Sequence, residues 1–289
     1  MSPEDLAEVR RRAGADDPQA LAMAAVLAGL GAGEPQSWPA AIQRLTRAAE
    51  LGLESARGQL AVLANAAPDA GADWTGLART IDMGRWLAPP PKERLSRDPR
   101  ISRSPGFLAP QVCDWLIERA RGRVTQAKVF DPAGDGGRTE AGRTNSAFEL
   151  ALEDLDLVTV MARTRIAVAV GVPPGALEPI QVLHYAPGQR FTRHFDYLDP
   201  TVPGYAADVA RRGQRMATFL VYLNAEFEGG ETDFPLVGLK FKGAPGEALM
   251  FANVDMTGAP DRRTLHEGLP PASGEKWLLS QWIRDRAAA

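Results

Sequence analysis

The chain contains three histidines, His184, His194 and His266. His194 and Asp196 flank Phe195 in a run that predicts a β-strand, and because alternate residues of a strand share a face, both can reach one ion. Taken alone, this tripeptide favours an ordinary surface pair. His266 follows Asp196 by 70 residues and adds a third ligand. Two imidazoles and one carboxylate, with three open metal positions, are the ligand set of non-haem Fe(II) oxygenases.

A lysine lies close behind this predicted metal site. Lys276 follows His266 by ten residues and opens an otherwise apolar run that predicts a strand to Ile283. If Lys276 faces inward, its charge costs free energy unless it meets an anion. A lysine at an exposed strand end is the alternative, and by frequency of exposure the more common one. The residues alone leave both interpretations open.

These residues belong to a longer series of segments that resembles a known family. Residues from about 100 to 286 are similar to the catalytic domain of the prolyl 4-hydroxylases, which are Fe(II)- and 2-oxoglutarate-dependent dioxygenases with a double-stranded β-helix (jelly-roll) fold. The matching segments, in the family's order, are 181–196, 215–224, 229–235, 246–253 and 266–282.

The resemblance implies a role for individual residues. His194, Asp196 and His266 match the metal ligands, and Lys276 matches the lysine that holds the distal carboxylate of 2-oxoglutarate. Further matches line or adjoin the co-substrate pocket: Tyr185, Thr218 and Trp282. His184 alternates with Tyr185 along its strand, so we expect it on the opposite face as a structural histidine.

Substrate contacts are implied by a shorter match. Arg143, Thr144 and Asn145 resemble an Arg-Thr-Ser stretch that lies beside the peptide groove in peptidyl members of the family. Arg143 and Asn145 are therefore candidate substrate-binding residues, and a solvated loop arginine is the alternative.

The resemblance implies hydroxylation of an unactivated C–H bond, above all that of a prolyl residue in a peptide or protein, with release of succinate and CO2. The implied cofactors are Fe(II), 2-oxoglutarate, O2 and ascorbate. The charges of Fe(II), Asp196, doubly ionised 2-oxoglutarate and Lys276 cancel, so the assembly can be buried at low cost. Two alternatives are a repeat-containing peptide-binding adaptor with an inactive oxygenase domain and a zinc hydrolase, which has no use for Lys276.

The region before the catalytic segments predicts a separate helical domain. Its Ala- and Leu-rich pattern at residues 20–28 recurs 36 positions later at 56–64, and it resembles Sel1-like repeats, relatives of the tetratricopeptide repeat. Chance similarity of two Ala-rich helices is the alternative. Because so few repeats rarely stand alone, we expect residues 1–88 to pack against the rest of the chain, or a helix around Trp74 to Met83 to complete a third unit.

The predicted architecture is an α+β multidomain protein. The helical repeat domain, residues 1–88, precedes a Pro-rich linker, residues 89–99, and the catalytic jelly roll, residues 100–289. One helix over 111–121 opens the catalytic part, and short strands without alternating helices follow, among them 180–185, 216–223, 247–251 and 276–283. The stretches 131–137 and 199–213 predict long loops, either lids or disordered tips.

Composition limits the partners. The 289 residues carry a net charge of −3, and no basic stripe with interleaved aromatic residues is present, which argues against nucleic acid as a partner. A single cysteine, Cys113, excludes an internal disulfide framework. The apolar runs are too short to span a membrane. We expect a soluble, cytoplasmic protein that acts on a proline-containing peptide or protein, which the helical repeats could recruit.

Overall fold

The computed structural model describes residues 1–67, 73–128 and 142–287. The loop predicted at 131–137 lies outside these residues. The chain divides into two compact units, Met1–Pro89 with Leu150–Ala169, and Pro90–Glu149 with Val170–Ala289. Within the described ranges, no helix combines the length and the apolar character needed to cross a membrane.

The first unit consists of helices. In chain order they are α1 (Pro3–Gly14), α2 (Pro18–Leu30), α3 (Trp38–Glu50), α4 (Glu54–Leu63), α5 (Trp74–Arg79) and α6 (Met83–Leu87); α7 (Pro110–Ala120) belongs to the second unit, and α8 (Leu157–Val170) returns to the first. Several of them begin after a residue whose side chain accepts a backbone N–H of the first turn; these residues include Ser2, Asp17, Ser37, Asp73 and Asp82. The helices expected in residues 1–88 are therefore present, and their assignment to Sel1-like repeats stays a prediction.

Helix α8 makes the first unit discontinuous in sequence. The backbone N–H of Leu157 donates to Oε1 of Gln59 at 2.8 Å, and Leu157 and Val160 lie so close to Gly29 that a Cβ there would be 3.1–3.3 Å from them. The expectation that only strands follow the helix at 111–121 was wrong here. Since α8 is buried on nearly all sides, its sequence lacks the amphipathic period that identifies a surface helix.

The described part of the second unit holds three antiparallel sheets. The strands are β1 (Glu93–Ser96), β2 (Ile101–Ser104), β3 (Thr125–Gln126), β4 (Ser146–Glu149), β5 (Gln181–Tyr185), β6 (Phe191–His194), β7 (Arg215–Tyr222), β8 (Phe227–Gly229), β9 (Thr232–Phe234), β10 (Leu239–Phe241), β11 (Ala248–Ala252), β12 (His266–Gly268), β13 (Pro271–Gly274) and β14 (Lys276–Arg284). The largest sheet has the order β1-β2-β11-β7-β14-β5-β4-β3, a second has the order β10-β9-β12-β6, and β13 pairs with β8. One hydrophobic core joins them, with members such as Phe234 and Phe241 next to Leu249 and Phe251. This is the jelly-roll arrangement that the sequence predicted.

Two boundaries differ from the sequence-based expectations. Strand β1 lies inside the stretch 89–99, which was predicted as a linker, and pairs with β2. The stretch 199–213 contains helix α9 (Pro203–Arg212). The helix ends before Gly213, whose φ of 82° is left-handed. Helix α7 and the four predicted strands lie within a few residues of their expected positions.

Strand pairing places the candidate residues opposite one another. In the second sheet His266 of β12 is the register partner of His194 of β6. In the large sheet Lys276 of β14 lies opposite Tyr185 of β5. Further along β14, Trp282 lies opposite Thr218 of β7. Residues far apart in sequence thus meet because three antiparallel pairs are in register.

Candidate active site

His194, Asp196 and His266 converge at one point of the second unit. One ligand atom from each lies within 4.8 Å of the others. Each imidazole Nε2 is 3.6 Å from a different oxygen of the Asp196 carboxylate. Strand β6 ends at His194, so Asp196 reaches the cluster from the bend that follows, while Phe195 turns away and stacks on Tyr197. We expected His194 and Asp196 on one face of a strand. Instead, Asp196 lies beyond the end of β6, and both side chains still reach the same point.

Hydrogen bonds set the tautomer of both imidazoles. Nδ1 of His194 donates to the carbonyl oxygen of Thr192 at 2.8 Å, and Nδ1 of His266 donates to that of Thr264 at 3.0 Å. Because Nδ1 carries the proton, the Nε2 lone pair of each ring faces Asp196 and is free to bind a cation. The main chain therefore orients both rings for metal coordination.

The carboxylate is oriented by its own partners. Thr218 Oγ1 donates to Asp196 Oδ2 at 2.6 Å, and Asn253 Nδ2 donates to Thr218 Oγ1 at 3.0 Å. Thr218, expected in the co-substrate pocket, thus acts here as the hydrogen-bond donor behind Asp196. The other oxygen, Oδ1, faces the imidazole of His194.

Burial and charge give the ligands the protonation states that a metal needs. Burial, together with the neighbouring His266, lowers the pKa of His194 to about 3, so this imidazole is neutral at pH 7. Burial alone would raise the pKa of Asp196, but the charge that the two histidines carry when protonated, the Thr218 hydroxyl and the charge of Arg215 outweigh it and lower that pKa. A neutral imidazole and an ionised carboxylate are the forms that coordinate Fe(II) without first losing a proton.

Aromatic rings hold the imidazoles in place. The Phe191 ring stacks on His194 with centroids 3.5 Å apart, and the guanidinium of Arg143 lies 4.5 Å from the centroid of Phe191. On the opposite ligand, Phe251 meets the ring of His266 edge-on, with centroids 4.7 Å apart. These rings exclude water from the ligands and restrict their rotation.

Lys276 lines one cavity together with the three metal-ligand candidates. Its burial decides whether this lysine faces inward or lies at an exposed strand end. The residue has no exposed surface, so the exposed strand end is wrong. Its ammonium lies 4.8 Å from the ring centroid of Tyr185 and 5.5 Å from that of Tyr222, and among the described residues no atom accepts a hydrogen bond from Nζ. Burial lowers the pKa of Lys276 to about 7, against the pull of Glu231. A buried ammonium without a hydrogen-bond acceptor is suited to binding an anionic ligand.

The cavity between the metal-binding cluster and Lys276 contains about 430 Å³ of atom-free space, including its open mouth. Besides the metal ligands and Lys276, three of the candidate residues expected here line it: Arg143, Tyr185 and Trp282.

Two further residues that sequence reasoning missed, Phe191 and Thr232, also line the cavity. Strict alternation along β6 would turn Phe191 away from His194, but the pairing of β6 with β12 is irregular between these positions, and both side chains reach the cavity. The sequence carries no signal for this irregularity. Thr232 falls within the matching segment 229–235, which could have identified it.

The remaining candidates lie around the cavity. Asn145 is fully buried, and its amide oxygen accepts from Nε of Arg143 at 3.3 Å, so it orients the arginine. Tyr222, which sequence reasoning also missed, donates to the carbonyl oxygen of Phe241 at 2.8 Å. His184 faces the other side of β5, as expected, and its ring packs against Trp277 at an angle of 37°, with centroids 4.3 Å apart.

Similarity to known proteins agrees with this geometry. Residues 180–284 match the 2OG-Fe(II) oxygenase superfamily. Prolyl 4-hydroxylase 1 of Arabidopsis thaliana is 34% identical over 211 residues, which cover 68% of this chain and 73% of that protein. Prolyl 4-hydroxylase 13 of the same plant is 30% identical over 222 residues, covering 72% and 79%. The chain belongs to the prolyl 4-hydroxylase family of 2OG-Fe(II) oxygenases.

A solved structure of the family shares the fold. The crystal structure of a viral collagen prolyl hydroxylase from Paramecium Bursaria Chlorella virus-1, in complex with 2OG, has 28% sequence identity and a TM-score of 0.50 to this chain, and the match covers 65% of this chain and 96% of that one. This member of the prolyl 4-hydroxylase family is therefore a 2-oxoglutarate-dependent dioxygenase that uses Fe(II), 2-oxoglutarate and O2. Nothing in these similarities favours the adaptor alternative.

Replacing Lys276 by an apolar residue of similar length tests its burial. The folded protein disfavours the charged ammonium, which lowers the free energy of unfolding. This loss is complete below pH 7 and disappears as pH rises towards the usual lysine pKa of 10.5. We expect ligand-free Lys276→Met to be more stable than the parent at pH 7. The difference should shrink between pH 7 and 10.5 with a slope of up to about 1.4 kcal/mol per pH unit. Urea unfolding at a series of pH values measures it, and a difference that does not change with pH would contradict the assignment.

Proposed function

We propose that this enzyme hydroxylates a prolyl residue of a peptide or protein, and that it converts 2-oxoglutarate and O2 to succinate and CO2 in the same turnover. The relatives it resembles carry the name prolyl 4-hydroxylase, which supports this substrate class. The observation that carries the proposal is one cavity with an oriented His–Asp–His cluster at one side and an unpartnered, buried Lys276 at the other, within the described part of the chain.

His194, Asp196 and His266 would hold Fe(II), and the fit rests on their donor set, their free Nε2 lone pairs and the ionised carboxylate. The bound iron would activate O2 for attack on a C–H bond. The contribution of the protein is to fix the number and orientation of its ligands and to keep the surroundings dry. Thr218 holds Asp196 in place for this, and Phe191 does the same for His194.

Lys276 would bind the distal carboxylate of 2-oxoglutarate. Its ammonium donates to no atom of the described protein, and the residue lines the cavity that the co-substrate would enter. Tyr185 and Tyr222 flank the ammonium with their rings, and burial keeps both hydroxyls protonated, since it raises both pKa values. The two phenols thus add no charge, and the positive charge of Lys276 is left to match a carboxylate.

The substrate would contact Arg143, Phe191 and Trp282, which line the cavity. The pyrrolidine ring of proline is apolar and packs well on aromatic faces, which Phe191 and Trp282 supply. Arg143 is oriented by the amide oxygen of Asn145 and by the carbonyl oxygen of Lys128. An arginine held in this way can donate to a peptide carbonyl.

Ascorbate is the fourth cofactor that we propose, as the reductant that returns oxidised iron to the ferrous form. Turnover assays with and without ascorbate test whether the enzyme requires this reductant.

Loss of one metal ligand should abolish turnover, whereas loss of the third histidine should not. We expect His194→Ala to remove Fe(II) binding and succinate formation, because two ligands are left. His184→Ala is the matched control, since His184 faces away from the cavity. The assay offers proline-rich synthetic peptides with Fe(II), 2-oxoglutarate and ascorbate, and mass spectrometry locates a gain of one oxygen. Oxidation at residues other than proline would refute the prolyl substrate, and equal activity of the two variants would refute the metal assignment.

Loss of the lysine should affect the co-substrate alone. Removing one partner of a buried charge pair costs several kcal/mol, so we expect Lys276→Ala to weaken 2-oxoglutarate binding by about a hundredfold or more. Fe(II) affinity should stay within a factor of about two, since Lys276 is not among the ligand atoms. Calorimetric titration measures both constants. Lys242→Ala, a lysine outside the cavity lining, is the control and should bind 2-oxoglutarate like the parent.

We also propose that the helical unit recruits the peptide substrate. Paired helices form extended surfaces suited to peptides, and this supports the role. The expected result is that a photoreactive proline-rich peptide, mixed with the full chain, forms adducts in residues 1–67 as well as near the cavity. Peptide mapping by mass spectrometry identifies the adducts. Adducts near the cavity alone would mean that the helical unit has no part in binding.

A further inference from the structure

A buried network of ion pairs lies next to Trp282, one of the aromatic residues that line the cavity. Glu178, in the segment that precedes β5, stands at its centre. Its two oxygens accept from Nε and Nη2 of Arg215 at 2.7 and 2.8 Å, so the pair is bidentate. Nε of Arg284 also donates to Glu178, and Nη2 of Arg284 donates to Asp208 at 2.8 Å. Both carboxylates have at least nine-tenths of their side-chain surface buried.

One branch of this network reaches the cavity. The guanidinium of Arg215 lies 3.6 Å from the ring centroid of Trp282, which is a stacking distance. Trp282 is one of the cavity-lining residues and lies opposite Thr218, the donor to Asp196. The chain of contact therefore runs from Glu178 through Arg215 to the indole ring.

The bidentate contact is what keeps this stack in place. A guanidinium is planar, and a carboxylate that takes two of its N–H groups fixes the plane as well as the position. Without the carboxylate, the Arg215 side chain could rotate about several bonds, and Trp282 would lose the flat support on one face. The indole Nε1 has no hydrogen-bond partner among the residues described, so it offers no second anchor.

The other branch of the network leads away from the cavity. Asp208 lies on helix α9 and accepts from Arg212 Nε at 2.6 Å as well as from Arg284. Within the described part of the chain, Asp208 has no hydrogen bond to Arg215. Asp208 thus shares the burial and charge of Glu178 but lacks its connection to Trp282, which makes it a matched control.

We propose that Glu178 is a positioning residue for the substrate: by holding Arg215 flat beneath Trp282, it fixes the aromatic wall against which the prolyl ring packs. This inference rests on the proposed prolyl substrate. It separates the network into a branch that sets substrate geometry and a branch that anchors helix α9.

The first test compares Glu178→Gln with Asp208→Asn, both of which remove one buried charge. For a proline-rich peptide that the parent hydroxylates, we expect Glu178→Gln to raise KM by about tenfold, because small misplacements at a reacting centre are costly. Hydroxylated peptide formed per succinate should also fall, while the calorimetric constants for Fe(II) and 2-oxoglutarate stay at parental values. Asp208→Asn should lower thermal stability and leave KM and the coupling ratio unchanged. Equal changes in KM for both variants would overturn the proposal.

A double-mutant cycle tests the path through the indole. If Glu178 acts through Trp282, the effect of Glu178→Gln on KM should disappear in a Trp282→Phe background. An effect of the same size in both backgrounds would show that Glu178 acts elsewhere and would overturn the proposal. Arg215→Lys keeps the charge but cannot form the bidentate, stacked contact, and we expect it to reproduce the higher KM even if Glu178→Gln fails to fold.

A spectroscopic measurement separates this proposal from the proposed function. The fluorescence of Trp282 is obtained as the difference between each protein and its Trp282→Phe counterpart. We expect Glu178→Gln or Arg215→Lys to change the intensity or wavelength of that difference spectrum, and Asp208→Asn to leave it as in the parent. If the parent hydroxylates no peptide, the prolyl assignment fails, yet this spectrum still decides whether Glu178 positions Trp282. An unchanged Trp282 spectrum in both variants would overturn the positioning role.

Discussion

The burial of an unpartnered ammonium is the constraint on which the active site depends. Lys276 has no exposed surface, and its Nζ donates to no described atom of the protein. Such a group destabilises the ligand-free fold, because desolvation of a charge is offset only by an opposite charge or by loss of the proton. In the role proposed for Lys276, this cost serves co-substrate binding, because a dicarboxylate in the cavity would supply the missing charge. Stability and function are therefore opposed at this one position.

The site also depends on strand register. His194 and His266 meet because β6 and β12 pair at these residues, and Lys276 meets Tyr185 because β14 and β5 do. A shift of one residue in either pair would turn every side chain of the strand to the other face. Since core residues and site residues lie on the same strands, the register that buries the core also assembles the site.

The sequence predicted the ligands better than their surroundings. His194, Asp196, His266 and Lys276 carry rare or costly chemistry, so their types and their order along the chain were already informative. Helix α8 escaped because a helix buried on nearly all sides has no amphipathic period. Helix α9, in contrast, is amphipathic and rich in Ala and Arg, so its sequence could have identified it. The partnership of Glu178 with Arg215 and Arg284 escaped for another reason: charged residues are common, and only folding shows which of them are buried together.

The second unit buries charged side chains in two different ways: some are paired within the protein, and one, Lys276, donates to no described atom. Around Glu178 and Asp208 the protein supplies the opposite charges itself, and such a closed network keeps its geometry whether or not a ligand is present. At Lys276 the opposite charge is left to the ligand. In the proposed roles, Trp282 would give the substrate a rigid wall that this network holds in advance, whereas Lys276 would be paired only when the co-substrate binds. A rigid wall suits the selection of one C–H bond, because selection between neighbouring atoms requires a position held to a fraction of an ångström.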